Sequence, residues 1–598
     1  MATERGVDMV QAEESLDEKK KGHKIQSHHE AVDEMPQPSD EEKATLRRVA
    51  DHIPLAAFTI VLVELCERFA FYGLSGVFQN YLQNPLPPGG SGSGAPVSAT
   101  SSSPAGALGR GQTTATGLQQ MFSFLAYIFP IMGAIIADAK WGRYKTITVF
   151  CLIYFIGLLI ITATSVPSAL KAGAGLPGWI VGAIVVALGT GGIKASPYLA
   201  NVSPLVADQY RTTTLSIRTL PSGERVIVDP NVTISRIYNL FYWCINVGSL
   251  SAIATTQLER RVGFWAAFLL PTAIFVLTPL VLVGGANLYH RVPPRGSVVV
   301  ETWRVARIAL GGFWKSPLRF IRETRDSGVW ERAKPSYIHE HGDAETKKTS
   351  SSYITWDDEF VSEVGRTARA CQIFLFYPLY WIAYNQITTN LVSMAATMTT
   401  NGTPNDLLQN FDPIALIVFI PLMDMLVYPG LRRMGFVIRP IARIWLGFMF
   451  GAAAMVYCAV LQHYIYKTNP CGEFVSTCDT PSSLNVWLQI PSYVLIAISE
   501  IFASITGLEY AYNKAPKRMK SVVMSVFLFM TAIGNAINAA LSPVAQDPKL
   551  VGNYTGIAIV TFIAGNAFYL CFWRRDKFED DENAIGKEGH ESEEDLHQ

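Results

Sequence analysis

The run Glu64-Leu65-Cys66-Glu67-Arg68-Phe69-Ala70-Phe71-Tyr72-Gly73 lies inside an otherwise apolar stretch from Ile53 to Leu82. That stretch exceeds the roughly 20 residues a helix needs to cross a hydrocarbon core of ~30 Å. Its charges are therefore the informative part. Glu64, Glu67 and Arg68 stand at i, i+3 and i+4, on one helical face, with Phe71 and Tyr72 one turn further on. An ionised side chain in lipid is costly unless it is paired or wetted, so this face looks into protein or into a water-filled chamber.

Outward from this segment the same solvent problem repeats. Of 598 residues, 49% are apolar and only 16% charged, and the charge concentrates near the ends and in a few loops. Window hydropathy predicts spans near 53–82, 115–139, 145–166, 178–200, 234–256, 264–288, 370–398, 411–431, 441–466, 487–511, 521–545 and 552–573. Lipid offers no partner to a backbone amide, so these are expected as helices, and the alternating pattern of a membrane barrel is not seen. The expected fold class is an all-α polytopic membrane protein with 12 transmembrane helices in two six-helix bundles. The boundaries are a disordered tail 1–52, a first bundle 53–290, a hydrophilic linker 291–369, a second bundle 370–573 and a tail 574–598.

Orientation follows from basic residues beside the spans. Lys140, Arg143 and Lys145, then Arg432 and Arg433, then Lys514, Lys517, Arg518 and Lys520, then Arg574, Arg575 and Lys577 fall on one side of an alternating topology. That side is expected to be cytoplasmic, with both termini and the linker. The loop around Pro87 to Pro104, the sequon at Asn401 and the loop holding Cys471 and Cys478 then face outward, whereas the sequons at Asn201 and Asn231 fall inside. Whether Cys471 and Cys478 pair depends on loop geometry that spacing does not give. No cleavable signal is apparent at the N-terminus. The equal balance of 49 basic and 49 acidic residues argues against a nucleic-acid footprint, and no phosphate-binding loop, metal-ligand cluster or nucleophile motif points to an enzyme.

Few other ionisable groups interrupt the spans. Lys194 lies in Gly189-Thr-Gly-Gly-Ile-Lys-Ala-Ser-Pro197, where small residues admit a close neighbour, and Glu500 lies mid-span in the other half with Ser504 and Gly507 on its helical face. A purely structural ion-pair network is the plain alternative to function for Glu64, Glu67, Arg68 and Lys194. All ten histidines sit in tails, loops or span ends, so a proton crossing the bundle must ride on carboxylates. A carboxylate whose salt bridge forms and breaks can load and release that proton. In Gly133-Ala-Ile-Ile-Ala-Asp138-Ala-Lys-Trp-Gly142-Arg143-Tyr-Lys145 a close-packing glycine, a helix-end acid and a basic turn suit a gate, or equally a simple cytoplasmic anchor. Asn246 divides evenly between helix-to-helix hydrogen bonding and ligand contact. Asp412, before Pro413, reads as well as a helix cap. Trp303 to Trp314 in the linker reads as an amphipathic helix at the membrane surface.

Taken together, these strings resemble the proton-coupled oligopeptide transporter family of the major facilitator superfamily, and its fungal di- and tripeptide transporters most closely. Glu64-Leu-Cys-Glu67-Arg68-Phe69 followed by Tyr72-Gly73 is similar to the family's ExxERF signature, and Phe241 to Leu250 and Gly507 to Ser521 add to it. The resemblance implies alternating access around a central cavity in a proton-driven importer of di- and tripeptides, without a cofactor, monomeric and in the plasma membrane. It implies that Arg68 and Lys194 hold the peptide carboxylate, that Glu500 holds the amino end, and that Tyr72, Tyr127, Asn246 and Ser504 line the pocket. Glu64 and Glu67, with Arg68, Lys194 and Glu500, would couple protons, and Gly133, Asp138, Gly142 and Arg143 would gate. The chain departs from the family pattern at Phe71, Gln120, Asn385, Asp412 and Phe527. Two further readings compete: a carrier of nitrate, sugar or drug on the same fold, and a non-transporting receptor. A cationic pair facing an anionic residue suits a zwitterion better than nitrate or sugar.

Overall fold

The computed structural model describes residues 38–574 less 91, 99–102, 194–201, 203–204, 207–208, 211, 213, 222, 292, 295, 312–327, 342–353, 436–437 and 479. Each predicted span is a helix or an interrupted helix, numbered here in chain order. In the first half these are α1 (Leu55–Ser75), α2 (Gly111–Ile136), α3 (Arg143–Thr164), α4 (Gly175–Ile193), α5 (Pro230–Ser249, continued by Ser251–Arg261) and α6 (Phe264–Phe275, continued by Leu277–Gly284). The second half has α7 (Tyr377–Tyr384), α8 (Phe411–Leu422), α9 (Pro440–Thr468), α10 (Ile490–Glu500), α11 (Lys520–Leu541) and α12 (Leu550–Phe572). Among the described residues ten helices are long and apolar enough to cross a membrane. The other two depart for visible reasons: α1 carries Glu64, Glu67 and Arg68, and α7 breaks before a second segment, Asn390–Ala396.

Packing follows one scheme twice. In the first half α1 packs on α5 and α6, α4 on α2 and α3, and α3 on α6. In the second, α7 packs on α11 and α12, α10 on α8 and α9, and α9 on α12. Each pair maps onto its counterpart when six is added to the helix number. The halves meet where α2 packs along α11 and where α5 touches α8, two contacts that exchange under the same shift. A pseudo-twofold relation of this kind is how repeat-built transporters place a shared site between their halves. Large apolar side chains line the outside, as with Leu152, Ile156 and Leu159 on α3 and Ile559, Ile563 and Leu570 on α12. Their spacing by three, four or seven residues gives one lipid-facing stripe per helix.

Glycines set the closest approaches. A Cβ on Gly133 of α2 would run into the backbone carbonyl of Gly191 of α4, so only the missing side chain lets these helices touch. A Cβ on Gly248 of α5 would lie 2.6 Å from the Cβ of Arg68, and the Ser251 hydroxyl donates to the Phe69 carbonyl at 2.8 Å. Gly248 thus lets α5 lie directly against the charged face of α1.

Part of the tail expected to lack structure is ordered. Residues 38–52, assigned above to a disordered tail, contain a helix, Asp40–Thr45, with a Ser39 and Glu42 capping box, and strand β1 (Arg48–Val49). Strand β1 pairs in parallel with β3 (Arg225–Val228), which pairs antiparallel with β2 (Ser216–Thr219). Ion pairs Arg47–Glu224, Arg48–Asp229, Arg218–Asp51 and Arg225–Glu42 add to the join. In the linker, helix Val298–Leu310 buries Val305 and Ala309 against the protein while Trp303 and Leu310 stay exposed. This helix is therefore amphipathic as predicted, but its apolar face is partly taken by the second half. Cys471 and Cys478 form a disulfide with Cα atoms 6.0 Å apart, in a loop held by Asn469, which accepts from the Cys471 N–H at 2.8 Å.

Candidate functional site

A cavity of about 270 Å³ lies between the halves, lined from α1, α2 and α5 on one side and from α7, α8 and α10 on the other. The first wall presents Tyr72, Tyr127 and Asn246, and the second presents Glu500, Asp412 and Tyr384. Tyr72, Tyr127, Asn246 and Glu500 are thus brought together from four helices far apart in sequence.

Behind the first wall sits the charged face of α1. Arg68 is 4% exposed, and Glu64 and Glu67 are fully buried. The Arg68 Nε lies 3.0 Å from a Glu64 oxygen, and a terminal guanidinium nitrogen is ion-paired with Glu67. Arg68 also lies beside Tyr72 and stands over the Phe71 ring at 5.8 Å. It is not itself a lining residue, and it reaches the cavity through Tyr72. One cation between two buried carboxylates is stable only while both pairs hold, so a ligand carboxylate or a proton arriving here must rearrange them.

On the opposite wall the anionic character is doubled. Tyr384 of α7 donates to Asp412 Oδ2 at 3.4 Å, and Glu500 lines the cavity beside them. Asp412 is not the helix cap that the sequence allowed: Asn410 holds the N-cap position of α8, no side chain caps it, and Asp412 faces the cavity. The 3-10 turn Asn405–Asn410 ahead of the helix explains the shift, because it already supplies the first bonds of α8. Tyr384, Gln409 and Asn410 also line the cavity and were missed. Tyr384 lay one residue before Asn385 in an aromatic run that reads equally well as core.

Ser504 does not line the cavity, although it stands four residues after Glu500. A π-helical turn, Ile501–Ile505, follows Glu500 immediately, and Ser504 is buried within it, away from the cavity lining. Gly507, predicted on the same face, instead receives the Tyr377 hydroxyl. Lys194 lies outside the described residues. At the other end of α2, Asp138 sits in a π-helical turn, Ala137–Trp141, closed by Gly142 at φ 75° and followed by Arg143 at the start of α3. The Asp138 carbonyl accepts from the N–H of Gly296 at 3.1 Å, which ties this turn to the beginning of the linker. Among the described residues no group of three His, Cys, Asp or Glu could hold a metal ion.

Between the cavity and one end of the bundles the halves are joined by buried amides. Asn80 and Asn405 exchange hydrogen bonds at 2.9 and 2.8 Å. Gln79 donates to Ser393 at 3.1 Å and Gln112 to Asn390 at 3.2 Å. Gln409 donates to the Gly76 carbonyl at 2.8 Å and belongs to both the cavity and this layer.

The sequence profile described as POT family, PTR2, matches residues 144–558. The chain belongs to the POT family. Within it, the chain is 46% identical over 551 residues to the probable peptide transporter ptr2 of Schizosaccharomyces pombe, covering 92% of this chain and 83% of that protein. It is 42% identical over 551 residues to the peptide transporter PTR2 of Saccharomyces cerevisiae, covering 92% and 84%. A crystal structure of an auto-inhibited POT family peptide transporter superposes with a TM-score of 0.64 at 23% identity, covering 87% of this chain and 97% of that one. The chain therefore has the all-α, two-bundle fold of that structure, and its family is one of transporters, not enzymes.

Proposed function

We propose that this POT-family protein imports di- and tripeptides together with protons, by alternating access to the cavity between its halves. The observation that carries this reading is the opposition of charge across one chamber: Arg68 acting through Tyr72 on one wall, Glu500 and Asp412 on the other. A zwitterionic peptide needs its two ends met by opposite charges, and a site that reads termini and backbone tolerates many side chains. The names of the relatives from Schizosaccharomyces pombe and Saccharomyces cerevisiae support it.

In this reading Arg68, with Lys194, takes the peptide carboxylate. Glu500 takes the amino group, Tyr72, Tyr127 and Asn246 line the pocket, and Ser504 supports the Glu500 turn. Peptide binding at Arg68 frees a carboxylate, Glu64 or Glu67, to accept a proton, and loss of that proton inside restores the ion pair and expels the peptide. Gly133, Asp138, Gly142 and Arg143 serve as the hinge between α2 and α3. The driving force is the proton gradient, no cofactor takes part, and the working unit is a monomer in the plasma membrane with both termini and the linker, residues 291–369, in the cytoplasm. The bundles are residues 53–290 and 370–573.

The test is uptake of labelled dipeptide into sealed vesicles containing the full chain, with and without an inward proton gradient. Accumulation above equilibrium is expected only with the gradient, and di- and tripeptides, but not nitrate or hexose, should compete. Equal uptake after the gradient is collapsed would exclude proton coupling, and binding without any uptake would favour the receptor.

A further inference from the structure

The layer that joins the halves contains two acids the transport cycle above does not use. Glu259 is near the end of α5 and Asp406 stands just before α8, so they belong to opposite halves. They are 1% and 0% exposed and interact directly where the end of α5 packs on the turn Asn405–Asn410. Asn80 donates to Glu259 Oε1 at 2.9 Å. Glu259 Oε2 and both Asp406 carboxylate oxygens receive no hydrogen bond from another residue.

Two ionised carboxylates offer acceptors only, and buried face to face they repel. With one proton between them they make an O–H···O bond instead, which engages two of the three orphaned oxygens. The surrounding charges favour a single proton. From α5 the next residue, Arg260, acts on both acids, so the protonated pair plus Arg260 carries no net charge, whereas the deprotonated pair leaves one buried negative charge. From α10 the buried Tyr493 stands near Asp406. The segments Phe78–Gln83 and Asn390–Ala396 bring only neutral amides, hydroxyls and the phenol of Tyr81.

We infer that Glu259 and Asp406 form a proton-binding site of their own, outside the central cavity, which holds this end of the transporter shut while it carries one shared proton. When the proton leaves, the two anions push the α5 and α8 ends apart. The proton comes from the solution on that side and returns to it, so it gates the cycle without being transported. Acid on that side thereby favours closure after loading.

Thr113 and Gln546 report on this closure, since their side chains hydrogen-bond across the halves at 2.7 Å on the exposed rim. Spin labels at Thr113→Cys and Gln546→Cys, in full-length protein carrying Cys571→Ser to remove the exposed free thiol, should give a short-distance population that falls about threefold or more between about pH 5.5 and about pH 8. In Glu259→Gln the amide donates permanently to Asp406, so the short population should stay high and flat across that range. Asp406→Asn should do the same, and provides the test if the first variant does not fold. A pH response that persists in either folded variant, or its absence from the labelled parent, would overturn the proposal. The readout is independent of which solute is carried.

Discussion

Glu500 and Asp412 line the same wall of the cavity, the second bonded by the Tyr384 hydroxyl, and this pairing bears on how a peptide amino group is recognised. An ammonium arriving between two carboxylates gains charge-assisted hydrogen bonds of roughly 1.5–3 kcal/mol each. Glu500→Gln should therefore cut uptake of dipeptides with a free amino end by about 10- to 100-fold. An amino-acetylated dipeptide, which never made the bond, should compete as it does with the parent chain. Equal loss for both would remove Glu500 from terminus recognition. At this scale the sequence was legible where helical spacing alone places groups together: i, i+3, i+4 was enough to unite Glu64, Glu67 and Arg68. It was not legible where the local winding changes. Ser504 was placed by assuming an ordinary helix after Glu500, where a π turn follows instead, and Asp412 by assuming that α8 begins where its hydrophobic run begins, whereas a 3-10 turn precedes it.

The helices themselves were readable because each must satisfy its own backbone in lipid, which makes length and apolarity sufficient signals. What one sequence could not show is how close two helices come, since that depends on which glycine faces which backbone. Gly133 illustrates it. Its place in Gly133-Ala-Ile-Ile-Ala-Asp138 predicted close packing, but only the structure names Gly191 of α4 as the partner. Because the obstacle is a main-chain carbonyl and not the end of a flexible side chain, the helices must separate to admit a methyl group. Gly133→Ala should destabilise the chain by about 1–3 kcal/mol, lowering its unfolding midpoint in detergent and its abundance in the membrane. Gly556→Ala on α12, where no atom lies within 4 Å of the added carbon, is the matched control and should leave both unchanged. Similar loss in the two variants would mean that helix propensity or insertion, not the α2–α4 contact, sets the effect.

For the whole molecule, orientation was read from basic residues and the fold from the division into six and six spans. The twofold packing scheme shows why the halves need no close sequence likeness: the same pairs of helices pack, with different side chains filling the contacts. Orientation makes a separate claim that the disulfide sharpens. Cys471 and Cys478 are bonded in a loop between α9 and α10, and disulfides persist where the compartment is oxidising. If that loop faces outward, Arg433, at the opposite end of α9, faces the cytoplasm. In intact cells a membrane-impermeant maleimide should label Cys471 and Cys478 after mild reduction, whereas a cysteine at Arg433→Cys should react only once the membrane is permeabilised. Cys571, exposed near the end of α12, is replaced by serine in both, so each signal belongs to one loop. The opposite pattern would invert the topology and place the Glu259–Asp406 closure on the cytoplasmic side, where an inward proton gradient would hold it open instead of shut.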